Sequence, residues 1–147
     1  MSIKGPKQTI SPGNIKHFYK GNLEKDYRQS LKLRNGKEWL IGNFKQFRGS
    51  PRKTGLLELK YWKIGKNIEH KAKKQKKAGE LTIVLKGWIR GVVGKKWVVL
   101  KQGEYVYIRP NIVNNLVIEA SDNAEGLTVK APSDPKDCIK KANSKRG

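Results

Sequence analysis

Glu80-Leu-Thr-Ile-Val-Leu-Lys-Gly87 reads as a β-strand that begins on a carboxylate and closes on glycine. Strand side chains alternate with period two, so Leu81, Ile83 and Leu85 share one face and Thr82, Val84 and Lys86 the other. Glu80 falls in phase with the second set. Gly103-Glu-Tyr-Val-Tyr-Ile-Arg-Pro110 repeats the device, with glycine at the entry, alternating β-formers, and proline at the exit. Around these two stretches lie WIRGVV, KWVVLK, NLVIEA and LTVKAP, separated by turns at Gly91–Gly94, Pro110-Asn111 and Ser121–Gly126. Strands this short and regularly spaced, with no helical pattern between them, indicate an antiparallel sandwich or barrel.

Towards the N-terminus the pattern loosens. Leu56 to Ile64 is a further strand, alternating Leu57, Leu59 and Tyr61 with the outward or pocket-facing Glu58, Lys60 and Trp62. Glu38 to Phe47, after the Asn35-Gly36 turn, is expected to be another, with Trp39, Ile41 and Phe44 as its apolar positions. Residues 66–79 read as a polar loop carrying Lys71, Lys73, Lys74, Lys76 and Lys77. Residues 1–15 read as an extended arm, and His17 to Leu33 as a weakly helical segment anchored by Phe18, Tyr19, Leu23 and Tyr27. From Lys136 onward the chain is polar, with Ile139 as the anchor of a short helix. The division expected is an N-terminal arm at 1–35, a barrel at 36–132 and a basic tail at 133–147.

Composition sets bounds on this reading. The chain has 147 residues, 36% of them hydrophobic, and a mean hydropathy of −0.73, so its core must be concentrated, and residues 81–131 hold most of the Val, Ile and Leu. No run is long enough to cross a bilayer and no apolar stretch follows the first lysines, which points to a cytoplasmic protein without a membrane partner. Cys138 is the single cysteine and reads as a bystander thiol. The net charge is +21 and unevenly spread. Residues 1–80 carry 21 Lys/Arg against 6 Asp/Glu, whereas residues 81–135 carry 7 against 5. Such asymmetry suits a polyanion such as nucleic acid, or serves only solubility.

The two glycine-marked motifs resemble those of the cupin superfamily, small jelly-roll barrels with a ligand or metal pocket inside. The resemblance implies an all-β, cupin-like antiparallel jelly roll. Metal-binding cupins supply two histidines and a glutamate from the first motif and a third histidine from the second. Here Glu80 and Gly87 keep the glutamate-to-glycine spacing, but Ala72 stands where a partner of His70 belongs, and Asn114 falls near the place of the third histidine. One imidazole, one carboxylate and one amide make a poor transition-metal site, and the remaining His17 lies in the arm. His70 and Glu80 are thus the metal candidates of a degenerate motif. No cofactor is assigned, and a divalent metal is disfavoured.

Metal-independent members of the superfamily pair a histidine base with a tyrosine acid, which draws attention to Tyr61, Tyr105 and Tyr107. Against this stands the commoner role of alternating aromatics as core. The pocket expected from the resemblance is lined by Trp62, His70, Glu80, Tyr105, Tyr107 and Asn114. It would hold a small anionic or sugar-like ligand, with catalysis left open and a homodimer as the expected assembly. The competing reading is a basic β-barrel module that binds RNA or DNA without catalysis, through Lys71, Lys73, Lys74, Lys76 and Lys77. Trp39, Trp62, Trp88 and Trp97 would then offer stacking surfaces beside basic residues. There is no phosphate-binding glycine loop, since Gly91-Val-Val-Gly94 sits between β runs and has no helix N-terminus to offer.

Overall fold

The computed structural model describes residues 17–33, 38–64 and 72–140. Helix α1 (Leu23–Lys32) precedes ten strands: β1 (Trp39–Ile41), β2 (Glu58–Lys63), β3 (Lys73–Gln75), β4 (Gly79–Lys86), β5 (Trp88–Val93), β6 (Lys96–Lys101), β7 (Tyr105–Ile108), β8 (Asn114–Ala120), β9 (Glu125–Ala131) and β10 (Cys138–Lys140). They form two five-stranded sheets, β1-β2-β9-β4-β7 and β10-β3-β8-β5-β6, and every pairing is antiparallel.

The connectivity follows from nested pairing. β5 pairs β6 across the tight turn at Gly94, β4 pairs β7 outside it, β3 pairs β8 outside that, and β2 pairs β9 last. One long hairpin has been wound up so that successive pairs alternate between the sheets, and the β4–β9 and β5–β8 pairings lock the coil. This is the jelly roll expected from the sequence.

The register decides what lies inside. Glu80, Thr82 and Val84 are buried, whereas Leu81 and Ile83 are half-buried and Leu85 is exposed on the outer face. The interior therefore takes the more polar of the two strand faces. Its apolar half is built from Trp62, Val84, Ile89, Leu100, Ile108, Leu116 and Ala124, contributed by both sheets.

Helix α1 docks on the outer face beside β2. Asn22 caps it by accepting a hydrogen bond from the Lys25 N–H at 3.0 Å, and Glu24 and Asp26 in the first turn suit the positive helix end. Tyr27 meets Tyr61 edge-on with ring centroids 5.4 Å apart. The Tyr61 hydroxyl donates to Glu24 at 2.9 Å, and Lys63 pairs with the same carboxylate. No helix among the described residues is long and apolar enough to cross a membrane.

Three segments differ from expectation. The strand expected over residues 38–47 ends at Ile41, because Gly42 adopts φ 151 and the chain turns into a 3-10 helix at Lys45–Phe47. Within the expected loop 66–79, Lys73–Gln75 is a strand, since β8 and β10 offer it partners on both sides. The tail also forms a strand at Cys138–Lys140 rather than a helix, with Ile139 opposite Lys74.

Candidate functional site

The barrel interior is polar at one end. On β2, β9 and β4 the register aligns Glu58, Lys130 and Glu80 in one row across the sheet. All three are buried. The facing sheet contributes Lys73 and Gln75 from β3 and Asn114 from β8, and Lys73 lies opposite Asn114. Lys73 Nζ reaches across to Glu80 Oε1 at 3.3 Å. The β3–β4 turn that sets this approach is pinned by the buried Asp137, whose carboxylate accepts hydrogen bonds from the Lys77 and Ala78 N–H groups at 2.9 Å. One layer deeper, Trp62 Nε1–H donates to Thr128 Oγ1 at 3.1 Å, and Thr128 shares a hydrogen bond with Thr82 at 3.0 Å. This hydroxyl layer separates the charged end from the apolar core.

Three buried side-chain atoms have no hydrogen-bond partner among the described residues: Glu80 Oε2, Asn114 Oδ1 and Gln75 Nε2. Buried polar groups are nearly always satisfied, so three in one place point to a role beyond folding. Two of them accept and one donates. The half-buried Trp39 borders the same end, with Lys130 Nζ 5.4 Å and Lys60 Nζ 5.8 Å from its ring centroid.

The electrostatics push neighbouring groups towards neutrality. Burial pushes the Glu58 carboxyl above the usual range, with the Lys130 charge opposing. Burial likewise lowers the Lys130 ammonium below its ordinary value, and the Lys73 charge adds to this while Glu80 and Glu58 oppose it. Glu58 and Lys130 are neighbours in register, and the charge of each opposes the other's shift.

These shifts have a thermodynamic signature. Below its unfolded value near 10.4 and above its lowered folded value, Lys130 binds more protons when unfolded, so stability rises with pH across that window. Glu58 acts oppositely just above the ordinary carboxylate range, where the folded state holds the extra proton and stability falls as pH rises. We expect thermal midpoints from about pH 5 to about pH 10 to lose the alkaline rise in Lys130→Met and the acid-side fall in Glu58→Gln. Profiles parallel to wild type would refute the assignment.

The residues expected from sequence distribute unevenly. Glu80 and Asn114 flank Lys73 at the polar end, the first bonded to it and the second opposite it in register, and Trp62 lies beneath. Tyr105 and Tyr107 do not line the interior: their register against Ile83 and Leu81 places them on the outer face, 68% and 61% exposed, while Val106 and Ile108 point in. His70 and Lys71 lie outside the described residues, and His17 is exposed. Of the lysine run, Lys73 turns inward to Glu80, Lys74 is half-buried, and Lys76 and Lys77 are exposed. Cys138 is half-buried opposite Gln75. Sequence reasoning leaves Glu58 as outward or pocket-facing and does not single out Gln75 or Lys130. The signal was present in the phase of Glu58 with Trp62 and of Lys130 with Thr128, but alignment across three strands needs the register.

This donor set does not fit a divalent metal. Glu80 already carries the Lys73 ammonium, and Lys130 stands beside it in the row. Among the described residues no three of His, Cys, Asp and Glu converge.

No protein-family model and no curated protein matches the chain. Solved structures do. One is an uncharacterized conserved protein with a double-stranded β-helix domain from Klebsiella pneumoniae, 15% identical over 60% of this chain and 77% of that chain, with a TM-score of 0.52. A protein from Planctomyces limnophilus is 15% identical over 68% and 77%, with a TM-score of 0.49. A Streptomyces nucleoside dehydratase solved with uridine is 11% identical over 60% and 79%, with a TM-score of 0.43. The similarity is one of fold, and the fold is the cupin-like double-stranded β-helix.

Proposed function

We propose that the chain binds a small, hydroxyl-rich polar ligand, sugar-like or hydroxy-acid in character, at the polar end of the barrel. The observation that supports this reading is that Glu80, Asn114 and Gln75 each keep an unpaired buried polar atom, with Glu80 in the Glu58–Lys130–Glu80 row and Lys73 bridging from it to the strand pair of Asn114. Unpaired acceptors outnumber unpaired donors there, so the matching ligand must bring hydroxyl or other donor groups. Lys130 and Lys73 tolerate a carboxylate. Glu58, Lys130 and Glu80 are the buried ionisable groups placed along that row to meet such a ligand.

A thermal-shift screen of sugars, sugar acids, polyols and hydroxy acids tests the reading. At one hundred times its Kd a ligand stabilises by about 2.7 kcal/mol, which for a chain of this size raises Tm by roughly 5–10 °C. That shift is expected for at least one class, and it should vanish in Asn114→Ala and Glu80→Gln. A flat response to every class, or a shift unchanged in both variants, would contradict it.

A further inference from the structure

The outer face of the second sheet carries a feature that the interior site does not use. Across β5 and β6 the register sets Trp88 against Lys101, Arg90 against Val99 and Val92 against Trp97. Ile89 and Leu100 point into the core, so Trp88, Arg90, Trp97 and Val99 face outward. Trp97 is 56% exposed and Trp88 40%. The Arg90 guanidinium lies 4.3 Å from the Trp97 ring centroid and is held from the side by Glu119 at 3.1 Å. Arg90 follows Trp88 by two residues on the same strand face, so ring, cation and ring succeed one another across the sheet. Trp88 and Val92, the register partner of Trp97, are separated by roughly 13 Å of strand.

Charge selects the occupant. From Leu81 to Gly103 there is no Asp or Glu, while Lys86, Arg90, Lys95, Lys96 and Lys101 fall in that stretch. Lys95, Lys96 and Lys101 are exposed, the first two at the β5–β6 turn beside Trp97. A polyanion is favoured by this acid-free hairpin. Exposed rings add a requirement that a lipid headgroup or an acidic peptide does not meet, namely a flat partner between the charges. Bases meet it, and only a single strand leaves base faces free to stack.

We propose that this face binds single-stranded nucleic acid, with bases stacked on Trp88 and Trp97 and phosphates on Lys95 and Lys101. The surface is distinct from that of Lys73, Lys74, Lys76 and Lys77, among which Lys73 is committed to Glu80.

Fluorescence anisotropy with labelled dT12 and U12 tests the proposal on the full chain. Wild type is expected to bind at about physiological ionic strength, with its tryptophan emission quenched by the unlabelled oligonucleotide. Trp88→Ala and Trp97→Ala should each weaken binding roughly 5- to 150-fold while leaving the salt dependence intact. Lys95→Ser/Lys101→Ser, which alters exposed side chains only, should lower the magnitude of the log–log salt slope by about 1.4. Absence of oligonucleotide binding by wild type overturns the proposal. So does binding that both tryptophan variants retain, or equal affinity for heparin or for vesicles rich in anionic lipid, since neither offers bases to stack.

Discussion

Trp62→Ala is expected to destabilise the fold by about 3–5 kcal/mol, the usual range for removing a large buried aromatic. Trp62 is 7% exposed and joins the core cluster with Val84, Ile89 and Leu116. Its ring lies in a slot that exists because residue 126 has no side chain, since a Cβ there would come within 2.3 Å of the Trp62 ring. Truncation leaves that slot empty and also deprives Thr128 of its indole donor. In a chain of this length the loss should lower Tm on the order of 10 °C. Trp62→Phe keeps most of the packing and gives up the hydrogen bond, so it should cost nearer 1 kcal/mol. Denaturant midpoints for the two variants separate the contributions, and equal losses would mean that the hydroxyl layer under the site, not packing, sets the role of Trp62.

Gly91→Val is expected to cost about 3 kcal/mol or more, at the upper end of overpacking effects. A Cβ at this position would meet Asn115 O at 2.1 Å, Leu116 C at 2.3 Å and Leu116 Cα at 2.5 Å. Each of these is backbone, so no side-chain rotation relieves the clash and β5 must part from β8. The close approach coincides with the register irregularity between Arg90 and Val92. Because β8 also carries Asn114, parting the strands should disturb the site as well as the fold. A thermal melt within about 1 °C of wild type would show that the strand pair is not so tightly apposed.

Much of the architecture was legible because glycine-bounded alternating runs are local signals. The strands from Gly79 to Ala131 lie close to where WIRGVV, KWVVLK and the two motifs placed them. What was not legible depends on partners distant in sequence. The run Leu81, Ile83, Leu85 is the more apolar face of β4 and still points outward, because Trp62, Thr128 and Val84 share the interior side. The Tyr105 and Tyr107 pair follows the same logic, since β7 inherits its phase from β4. Lys73–Gln75 and Cys138–Lys140 have little intrinsic strand preference and form strands by pairing with each other over more than 60 residues. Motif spacing singled out Glu80 and Asn114, whereas Glu58 and Lys130 fall in one row with Glu80 only through the order β2-β9-β4.

The account rests on the polar end of the barrel being a ligand site rather than a buried structural network. A crystal structure with the most stabilising compound from the thermal screen tests this most directly. The compound is predicted to lie between the sheets, donating hydroxyl protons to Glu80 Oε2 and Asn114 Oδ1, accepting from Gln75 Nε2, and resting within reach of Lys130 and Glu58. A compound seated elsewhere, with those three atoms satisfied by the protein's own side chains, would contradict it.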